Sequence, residues 1–327
     1  MNVGILGAGF MGGTHARAFA KLSDVKVRAV SSRTLANAEK LAAEVGAAPT
    51  DDPLAIIHDP NIDVISNTLP NHLHAKFTIA ALKAGKPVLL EKPFGLTAID
   101  CDAMMAAQKT SRKPLMVAHV LRFWPEYRAL VEFVHSGALG KPLSAVASRL
   151  SVAPGAWFSD PRQSGGAVLD LMVHDLDALN WLFGKPKSVY ARGQRSKTKA
   201  WDHMLVTLDY GKASGMIEAS EMLPPGYPFS MTLKVLCQGG TVEFAFRAGG
   251  VSVEMGGGSS LTVYEAGNTY TLEAPGGDAY KAQVAYFVDC VRSKHAIKIG
   301  TPQQARAAVV LSNATRKSLE TGSVVAL

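Results

Sequence analysis

A glycine-rich loop directly after the first apolar segment constrains the fold of this chain more than any other feature. Residues 2–6 form a short apolar run, and Gly7, Gly9 and Gly12 follow in a Gly-x-Gly-x-x-Gly arrangement that opens a helical pattern. Between a strand and a helix, the first glycine permits a tight turn, the second lets the backbone approach a pyrophosphate, and the third allows close packing. Free N–H groups at the helix start then face the anion. The loop predicts a dinucleotide-binding βαβ unit, the alternative being a tight turn that binds nothing.

Apolar segments and helical patterns alternate through the first 120 residues. The predicted strands are residues 2–6, 25–31, 64–68, 88–90 and 115–118, and the predicted helices are residues 15–21, 36–45, 73–84 and 99–109. Strands that alternate with helices are typical of a parallel sheet covered on both faces. Residues 1–120 are therefore predicted to form a Rossmann dinucleotide-binding domain of the α/β class.

The pattern changes after residue 120. Residues 188–272 read as successive short strands separated by glycines, which indicates an antiparallel sheet. Helical patterns cover residues 125–136, 167–183, 279–292 and 302–319. A chain of 327 residues is long enough for two domains of about 150 residues each. We therefore predict a second domain, residues 121–327, of the α+β type with a large, mostly antiparallel open sheet.

Composition excludes several classes of protein. The chain is 47% hydrophobic and 19% charged, and no apolar run reaches the roughly 18 residues of a membrane-spanning helix. The three cysteines, Cys101, Cys237 and Cys290, lie far apart, which argues against a disulfide framework, and no metal-ligand spacing is present. Met1 leads directly into the first strand without a basic segment, so we expect no secretory signal and a cytoplasmic protein. The net charge of +7 is scattered, so no nucleic-acid binding is expected.

The end of the second predicted strand bears on the choice of cofactor. NAD sites usually carry an acidic residue about 20 residues after the last glycine, where it bonds the ribose 2′-hydroxyl. Ser31, Ser32 and Arg33 occupy that region here, and no acid is near in sequence. Serine hydroxyls and a guanidinium can bond a 2′-phosphate and offset its charge, which favours NADP(H). In the alternative, Arg33 stacks on the adenine and NAD(H) is accepted.

The tripeptide Glu91-Lys92-Pro93 follows the predicted strand 88–90. In an open α/β sheet, groups at the carboxyl ends of strands face the ligand crevice. Lys92 can bond a substrate hydroxyl there and favour its partial deprotonation, whereas the alternative is a surface ion pair with Glu91. Pro93 makes the following turn rigid, with a cis bond as one option.

Asp170 and His174 form the third chemical motif. They are four residues apart in the predicted helix 167–183, so they share one face of that helix. An imidazole titrates near neutrality, which suits proton exchange with an alcohol as hydride leaves its carbon. Asp170 can orient a substrate hydroxyl or support the lysine. Polar pairs of this spacing are also common on helix surfaces, and that is the alternative.

In their order along the chain, these motifs resemble those of the Gfo/Idh/MocA family of oxidoreductases. The resemblance rests on the loop at residues 7–12, on Glu91-Lys92-Pro93, and on Asp170 with His174. It extends to Pro70-Asn71-His72-Leu73-His74, to Arg122-Phe123, and to Tyr280 with Phe287. It covers nearly the whole chain and departs at Ser31-Ser32, where many NAD-using relatives have an aspartate.

The resemblance implies hydride transfer between a nicotinamide cofactor and a secondary alcohol or ketone of a sugar, sugar derivative or cyclitol. Ser32 and Arg33 favour NADP(H) as that cofactor, with NAD(H) as the second choice. Lys92, Asp170 and His174 then face the nicotinamide, and His174 exchanges the proton. The predicted cofactor contacts are Gly7, Gly9, Phe10, Met11, Gly12, Ser31, Ser32, Arg33, Leu69, Pro70, Asn71, His74, Glu91 and Lys92. The predicted substrate contacts are Lys92, His119, Arg122, Trp157, Asp170, His174 and Tyr280, with Tyr127 as a further candidate. For Trp157 and Tyr127 the alternative is packing in the core.

Two other functions stay open on the sequence: a reductase or dehydrogenase of a non-sugar carbonyl or dihydrodiol, and a non-catalytic regulator that senses NADP(H). Intact Lys92, Asp170 and His174 favour an enzyme, because a sensor needs no proton donor. The second domain is expected to bind substrate and to pair with another subunit, since few helices remain to cover both faces of its sheet. We expect a homodimer or homotetramer.

Overall fold

The computed structural model describes residues 1–327, with the side chains of all positions except 156 and 254. The chain divides into two compact units: unit 1 contains residues 1–123 and 277–306, and unit 2 contains residues 124–276 and 307–327. The predicted second domain, 121–327, differs from unit 2 chiefly in the segment 277–306. That segment joins unit 1 because its helix packs on the first helix of the chain, and because the Val117 N–H donates to the Gly300 carbonyl at 2.8 Å.

Unit 1 contains a six-stranded sheet in which every neighbouring pair is parallel. Its strands are β1 (Asn2–Leu6), β2 (Lys26–Ser31), β3 (Ala48–Thr50), β4 (Val64–Asn67), β5 (Val88–Glu91) and β6 (Leu115–Ala118). The order is β3-β2-β1-β4-β5-β6, so the direction of strand progression reverses between β1 and β4. A ligand crevice forms outside the carboxyl ends of the strands at such a reversal. The predicted parallel Rossmann sheet is confirmed.

Helices separate the strands of unit 1. They are α1 (Phe10–Ala20), α2 (Leu35–Val45), α3 (Pro53–His58), α4 (His74–Lys83), α5 (Ala98–Ser111) and, from the later segment, α10 (Ala279–Arg292). Single 3-10 turns lie at Asn71–Leu73 and Val120–Phe123. Sequence inspection missed β3 and α3, because β3 has only three residues, none of them buried, and therefore carries no apolar pattern. None of the described helices is long and apolar enough to span a membrane.

Unit 2 is built on a nine-stranded sheet. Its strands are β7 (Pro142–Leu150), β8 (Ser188–Arg195), β9 (Trp201–Asp209), β10 (Ser214–Ser220), β11 (Ser230–Cys237), β12 (Gly240–Ala248), β13 (Gly257–Glu265), β14 (Asn268–Thr271) and β15 (Val325–Ala326). The order is β14-β13-β12-β11-β7-β10-β9-β8-β15, and among the described strands of this sheet only β7 and β10 pair in parallel. The predicted mostly antiparallel sheet is confirmed.

One face of this sheet is covered by helices. Those of unit 2 are α6 (Pro125–Ser136), α7 (Pro161–Ser164), α8 (Ala167–Asp170) and α9 (Val173–Phe183), while α11 (Pro302–Thr321) begins in unit 1 and continues in unit 2. Alternate residues of β9 and β11 are buried, as expected for a half-covered sheet. The opposite face is open and carries three exposed apolar side chains, Leu205, Met216 and Leu236.

The predicted continuous helix 167–183 is wrong, because the chain turns between α8 and α9. The Met172 N–H donates to the Ala167 carbonyl five residues earlier at 2.8 Å, and the Asp175 N–H donates to the Met172 carbonyl at 3.0 Å. These bonds replace the regular four-residue spacing of an α-helix. Asp170 therefore ends α8 while His174 lies in the first turn of α9, and the two do not share one face of a single helix.

Candidate active site

The glycine loop follows β1 and leads into α1. Gly7 has a φ of +103°, and a Cβ there would lie 2.7 Å from the Thr68 carbonyl. A Cβ on Gly12 would overlap the Gly7 carbonyl. A Cβ on Gly9, by contrast, would meet no atom within 4 Å. The fold itself thus requires Gly7 and Gly12, whereas Gly9 faces the open space that a pyrophosphate would occupy.

Neighbouring strands hold this loop in place. The Thr68 hydroxyl donates to the Leu6 carbonyl at 2.9 Å, and the Gly7 N–H donates to the Ser31 carbonyl at 2.9 Å. Gly9 is the N-cap of α1 and has no side chain to cap the helix, and the first turn, which begins at Phe10, contains no acidic residue. The N–H groups of that turn are thus available to bind an anion. The residues present fit the pyrophosphate of a dinucleotide.

The three residues predicted to bind the adenosine ribose differ in accessibility. Ser31 is buried, and its hydroxyl has no hydrogen-bond partner in the described part of the chain. Ser32 is half-buried and Arg33 is exposed, so these two are accessible to a ligand. The Ser32 N–H donates to the Thr50 carbonyl at 3.1 Å, which brings Asp51 to the neighbouring strand end. The interpretation that no acid is near Ser32 therefore holds along the sequence but not in the folded unit.

A buried histidine joins two loops at the carboxyl ends of the strands. The ring nitrogens of His74 lie 2.8 Å from the carbonyl oxygens of Leu69 and Pro93, which follow β4 and β5 respectively. Burial has the largest effect and lowers the pKa of His74, whereas the hydrogen bonds to the two carbonyl oxygens raise it. His74 is fully buried and Asn71 is buried, while Leu69 and Pro70 are half-buried and remain accessible. His74 thus joins the loops that follow β4 and β5, and its predicted role at the cofactor stays a prediction.

Lys92 stands immediately after β5, half-buried, and its bond to Pro93 is cis. Its backbone N–H donates to Glu91 Oε2 at 3.2 Å. Glu91 is buried, and its other oxygen, Oε1, lies 2.9 Å from His15 Nε2. His15 Nδ1 lies 2.8 Å from the Ser66 hydroxyl. The alternative of an exposed Glu91–Lys92 ion pair is excluded by the burial of Glu91, and the carboxylate instead belongs to a buried chain of polar groups with His15 and Ser66.

Sequence reasoning missed His15 and assigned it no function. One signal was available: His15 follows Gly12 by three residues in α1, so both lie on the helix face that packs on the sheet. A histidine on that face is buried and needs polar partners, which only the ends of the central strands provide. His15 thus contacts Glu91, the residue before Lys92, and we expect it to act as a positioning residue.

The other predicted substrate contacts of unit 1 follow β6 or begin α10. Glu91 and Ala118 are paired in the register of β5 and β6, so Lys92 and His119 leave the sheet at the same edge. His119 and Arg122 are both buried, in or beside the 3-10 turn that follows. Tyr280 is half-buried in the first turn of α10. Unit 1 thus brings Lys92 and His119 to neighbouring strand ends.

Unit 2 carries the remaining predicted site residues. Asp170 and His174 are half-buried at the turn between α8 and α9. Trp157 is half-buried and stacks on Phe158, with ring centroids 3.9 Å apart. Tyr127, the further candidate for the substrate pocket, lies instead in the core, fully buried against Phe244. The interpretation of Tyr127 as a substrate contact is therefore wrong, because α6 packs its buried face on β12.

A buried ion pair anchors the start of α9. The Arg149 guanidinium donates to both oxygens of Asp175, through Nε at 2.8 Å and Nη2 at 3.0 Å. Burial alone would lower the pKa of Arg149, but the Asp175 carboxylate outweighs it and raises that pKa above its ordinary value. Asp175 directly follows His174, so the pair fixes the backbone that carries the imidazole. Sequence inspection gave no sign of Arg149, which belongs to a strand distant in the chain.

Both parts of the chain match models of known protein families. Residues 1–119 match the model of an oxidoreductase family with an NAD-binding Rossmann fold, and residues 127–243 match the GFO/IDH/MocA C-terminal domain. The chain is 31% identical over 277 residues to inositol 2-dehydrogenase 4 of Saccharopolyspora erythraea, covering 82% of this chain and 77% of that protein. The chain belongs to the Gfo/Idh/MocA family of oxidoreductases. The predicted family and enzyme class are thereby confirmed.

Two further relatives show how far the likeness to this Gfo/Idh/MocA oxidoreductase extends. Myo-inositol 2-dehydrogenase of Thermotoga maritima is 28% identical and aligns over 98% of this chain and 96% of its own length. The solved structure of levoglucosan dehydrogenase in complex with NADH and levoglucosan superposes with a TM-score of 0.84, at 22% identity, over 100% of this chain and 99% of that one. At that identity the likeness supports the fold alone.

Among the described residues of this oxidoreductase, no His, Cys, Asp or Glu side chains cluster as metal ligands.

We expect Gly9→Val to abolish dinucleotide binding while the oxidoreductase stays folded. The new side chain would occupy the open space in front of α1, where no protein atom lies within 4 Å of a Cβ. The measurement is calorimetric titration with NADPH and NADH, beside a thermal melt. Gly258→Val is the matched control, because a Cβ on Gly258 also meets open space and that residue lies on β13 of unit 2. Native cofactor affinity in folded Gly9→Val would contradict this placement of the cofactor.

Proposed function

We propose that this oxidoreductase reversibly oxidises a secondary hydroxyl of a cyclitol or sugar, with Lys92, Asp170 and His174 as the catalytic residues. The observation that carries the proposal is the half-buried Lys92 at the end of β5, whose backbone N–H bonds the buried carboxylate that pairs with His15. The names of relatives support the substrate class, since inositol and levoglucosan are polyhydroxylated rings. The open glycine loop of the same unit supports the cofactor class.

Oxidation of the alcohol breaks a C–H bond and an O–H bond, so the hydride and the proton each need an acceptor. When bound, an oxidised nicotinamide would supply the acceptor for the hydride, which is the C–H bond pair together with its proton. The hydroxyl proton must go to a base, and we assign that role to His174, because histidine side chains in general exchange protons near neutral pH. A positive group must stabilise the developing alkoxide, and we assign that role to Lys92. Asp170 orients the hydroxyl or one of the two cations.

The experiment is a turnover screen of purified protein against inositols, sugars, anhydrosugars and uronates with each oxidised cofactor, read as formation of reduced nicotinamide. We expect activity with at least one cyclitol or sugar. Dihydrodiols and non-sugar ketones belong in the same screen. Turnover of only those substrates would overturn the substrate class, and cofactor binding without turnover of any substrate would overturn the enzymatic proposal.

We further propose that NADP(H) binds more tightly than NAD(H), through the accessible Ser32 and Arg33. Ser32→Asp should reverse the preference, because a carboxylate repels the 2′-phosphate and accepts a bond from the 2′-hydroxyl. A hydrogen bond to a charged group is worth about 1.5–3 kcal/mol, so NADPH affinity should fall about 10–100-fold. Calorimetric titration measures both cofactors, and Ser23→Asp is the control because Ser23 is exposed and precedes β2, at the end of the strand opposite Ser32. Equal affinities in the native protein would contradict the preference, and Asp51 would then be the residue to test for binding of the ribose.

We also propose that a second copy of the chain covers the open face of the nine-stranded sheet. Three large apolar side chains, on β9, β10 and β11, are between 44% and 50% exposed on that face. Side chains of this kind are usually covered when they line one side of an extended sheet. Light scattering should report a homodimer or homotetramer, and a monomer at micromolar concentration would refute this assembly.

A further inference from the structure

Unit 1 has a second pocket, at the amino ends of its strands, whereas the glycine loop lies at their carboxyl ends. Its volume is about 800 Å³, and Pro87 before β5 and Leu115 at the start of β6 form part of its wall. The ends of α5 and α10 and the first residues of α11 complete it. Because β5 and β6 start here and end at the cofactor edge, this amino-edge pocket is separate from the dinucleotide site. No role in the proposed reaction accounts for it.

The charge of the amino-edge pocket is strongly positive. Lys109, Arg112, Lys113 and Lys294 line it, together with His295, and no Asp or Glu is among its lining residues. In the described part of the chain none of these four cations takes part in an ion pair. The whole chain has a net charge of +7, so four unpaired cations around one pocket are a concentration rather than an even spread.

The backbone holds two of these cations in an unfavourable conformation. Arg112 has a φ of +57° at the end of α5, and Lys294 has a φ of +54° just after α10. Glycine is the usual residue at such positions, because a Cβ disfavours the left-handed region. The only other described non-glycine residue with positive φ is Lys199 in unit 2. Two long basic side chains thus occupy positions where glycine would be the more stable choice.

Compensation of helix dipoles explains only part of this charge. Each helix C-terminus carries about half a negative charge, so the ends of α5 and α10 offset about one of the four cations. The N-terminus of α11 adds about half a positive charge back. The remaining excess has no partner in the described chain. The pocket also has partly exposed apolar residues in its wall, Val291 and Ile297, and its volume lies within the range of small-molecule sites, about 300–1000 Å³.

We propose that the amino-edge pocket binds a small molecule that carries a chain of phosphates. The phosphates pair with Lys109, Arg112, Lys113 and Lys294, and any organic part of the ligand lies against the apolar residues of the wall. A ligand of this chemistry matches both the charge and the size of the pocket, since phosphate groups are recognised by clustered arginine and lysine side chains. Inorganic polyphosphate and a nucleoside polyphosphate share this chemistry.

The test titrates tripolyphosphate and ATP, in separate experiments, into the full chain saturated with NADPH, so that the dinucleotide site is filled. We expect saturable binding of both probes, weakening as salt rises. Tighter binding of ATP would identify a nucleotide as the ligand type, and equal binding would identify an inorganic polyphosphate. Each of these results supports the proposal, whereas absence of saturable binding of either probe at millimolar concentration would overturn it.

Variants place the binding in the pocket. Arg112→Gly and Lys294→Gly remove a cation each and suit the positive φ, so both variants and the double variant should fold and melt no lower than the native chain. We expect the double variant to weaken tripolyphosphate binding at least tenfold with turnover unchanged. Lys199→Gly is the matched control, because it makes the same change at a positive φ in unit 2. Equal tripolyphosphate affinity in the native and double-variant proteins, or equal weakening by Lys199→Gly, would overturn the proposal.

Discussion

His174→Ala and Lys92→Ala are each expected to lower kcat by about 10²–10⁴-fold while cofactor affinity stays close to native. Loss of a general base has this cost in typical enzymes. Removal of the positive group leaves the developing alkoxide without its stabilising charge, which has an effect of similar size. Neither side chain belongs to the glycine loop that is expected to hold the pyrophosphate. The predicted loss is therefore confined to turnover.

The informative measurement is kcat as a function of pH on the best substrate from the screen, with NADPH titration of each variant. His58→Ala and Lys83→Ala are matched controls, because both residues are exposed on helices of unit 1 and neither is a predicted site residue. Asp170→Asn should cost less than either alanine variant if Asp170 only orients groups, and more if it sets the charge of His174 or Lys92. Near-native turnover by both alanine variants would show that the catalytic assignment is wrong.

Arg149→Ala is expected to destabilise unit 2 by about 3–5 kcal/mol, because it leaves the Asp175 carboxylate buried without its partner. Arg149 and Asp175 are both almost fully enclosed, and the guanidinium contacts both carboxylate oxygens. A loss of this size corresponds to a decrease in Tm of about 6–20 °C for a unit of this length. Turnover should fall as well, since Asp175 adjoins His174 at the start of α9.

A thermal melt of the native and variant chains checks this expectation. Arg128→Ala is the control, because Arg128 pairs with Glu132 on the surface at 3.5 Å, and exposed pairs of this kind contribute only about 0.3–0.5 kcal/mol. Replacing both partners, with Arg149→Met and Asp175→Leu, should recover much of the lost stability, because no unpaired charge then remains buried. If Arg149→Ala melts within a degree or two of Arg128→Ala, the ion pair does not anchor α9.

The sequence alone was sufficient to predict the dinucleotide-binding unit and its chemistry class. The requirements of the glycine loop are local: Gly7 needs a positive φ, and Gly12 cannot carry a Cβ beside Gly7. Alternation of apolar strands with helices is likewise a local pattern, and short-range patterns imply a parallel sheet whose carboxyl ends face a ligand. For the same reason Lys92 could be placed at a strand end before its neighbours were known.

Tertiary structure decided which distant residues meet. His15 and Glu91, or Arg149 and Asp175, are joined by contacts between elements far apart in the chain, and no spacing in the sequence encodes those distances.

The same reason explains three further differences from the sequence predictions. Segment 277–306 joins unit 1 through packing on α1, Asp51 comes beside Ser32 through strand pairing, and the predicted helix 167–183 breaks where Met172 bonds five residues back. The amino-edge pocket likewise depends on the convergence of three helix ends. The spacing of its cations in the sequence does not indicate that they line one pocket.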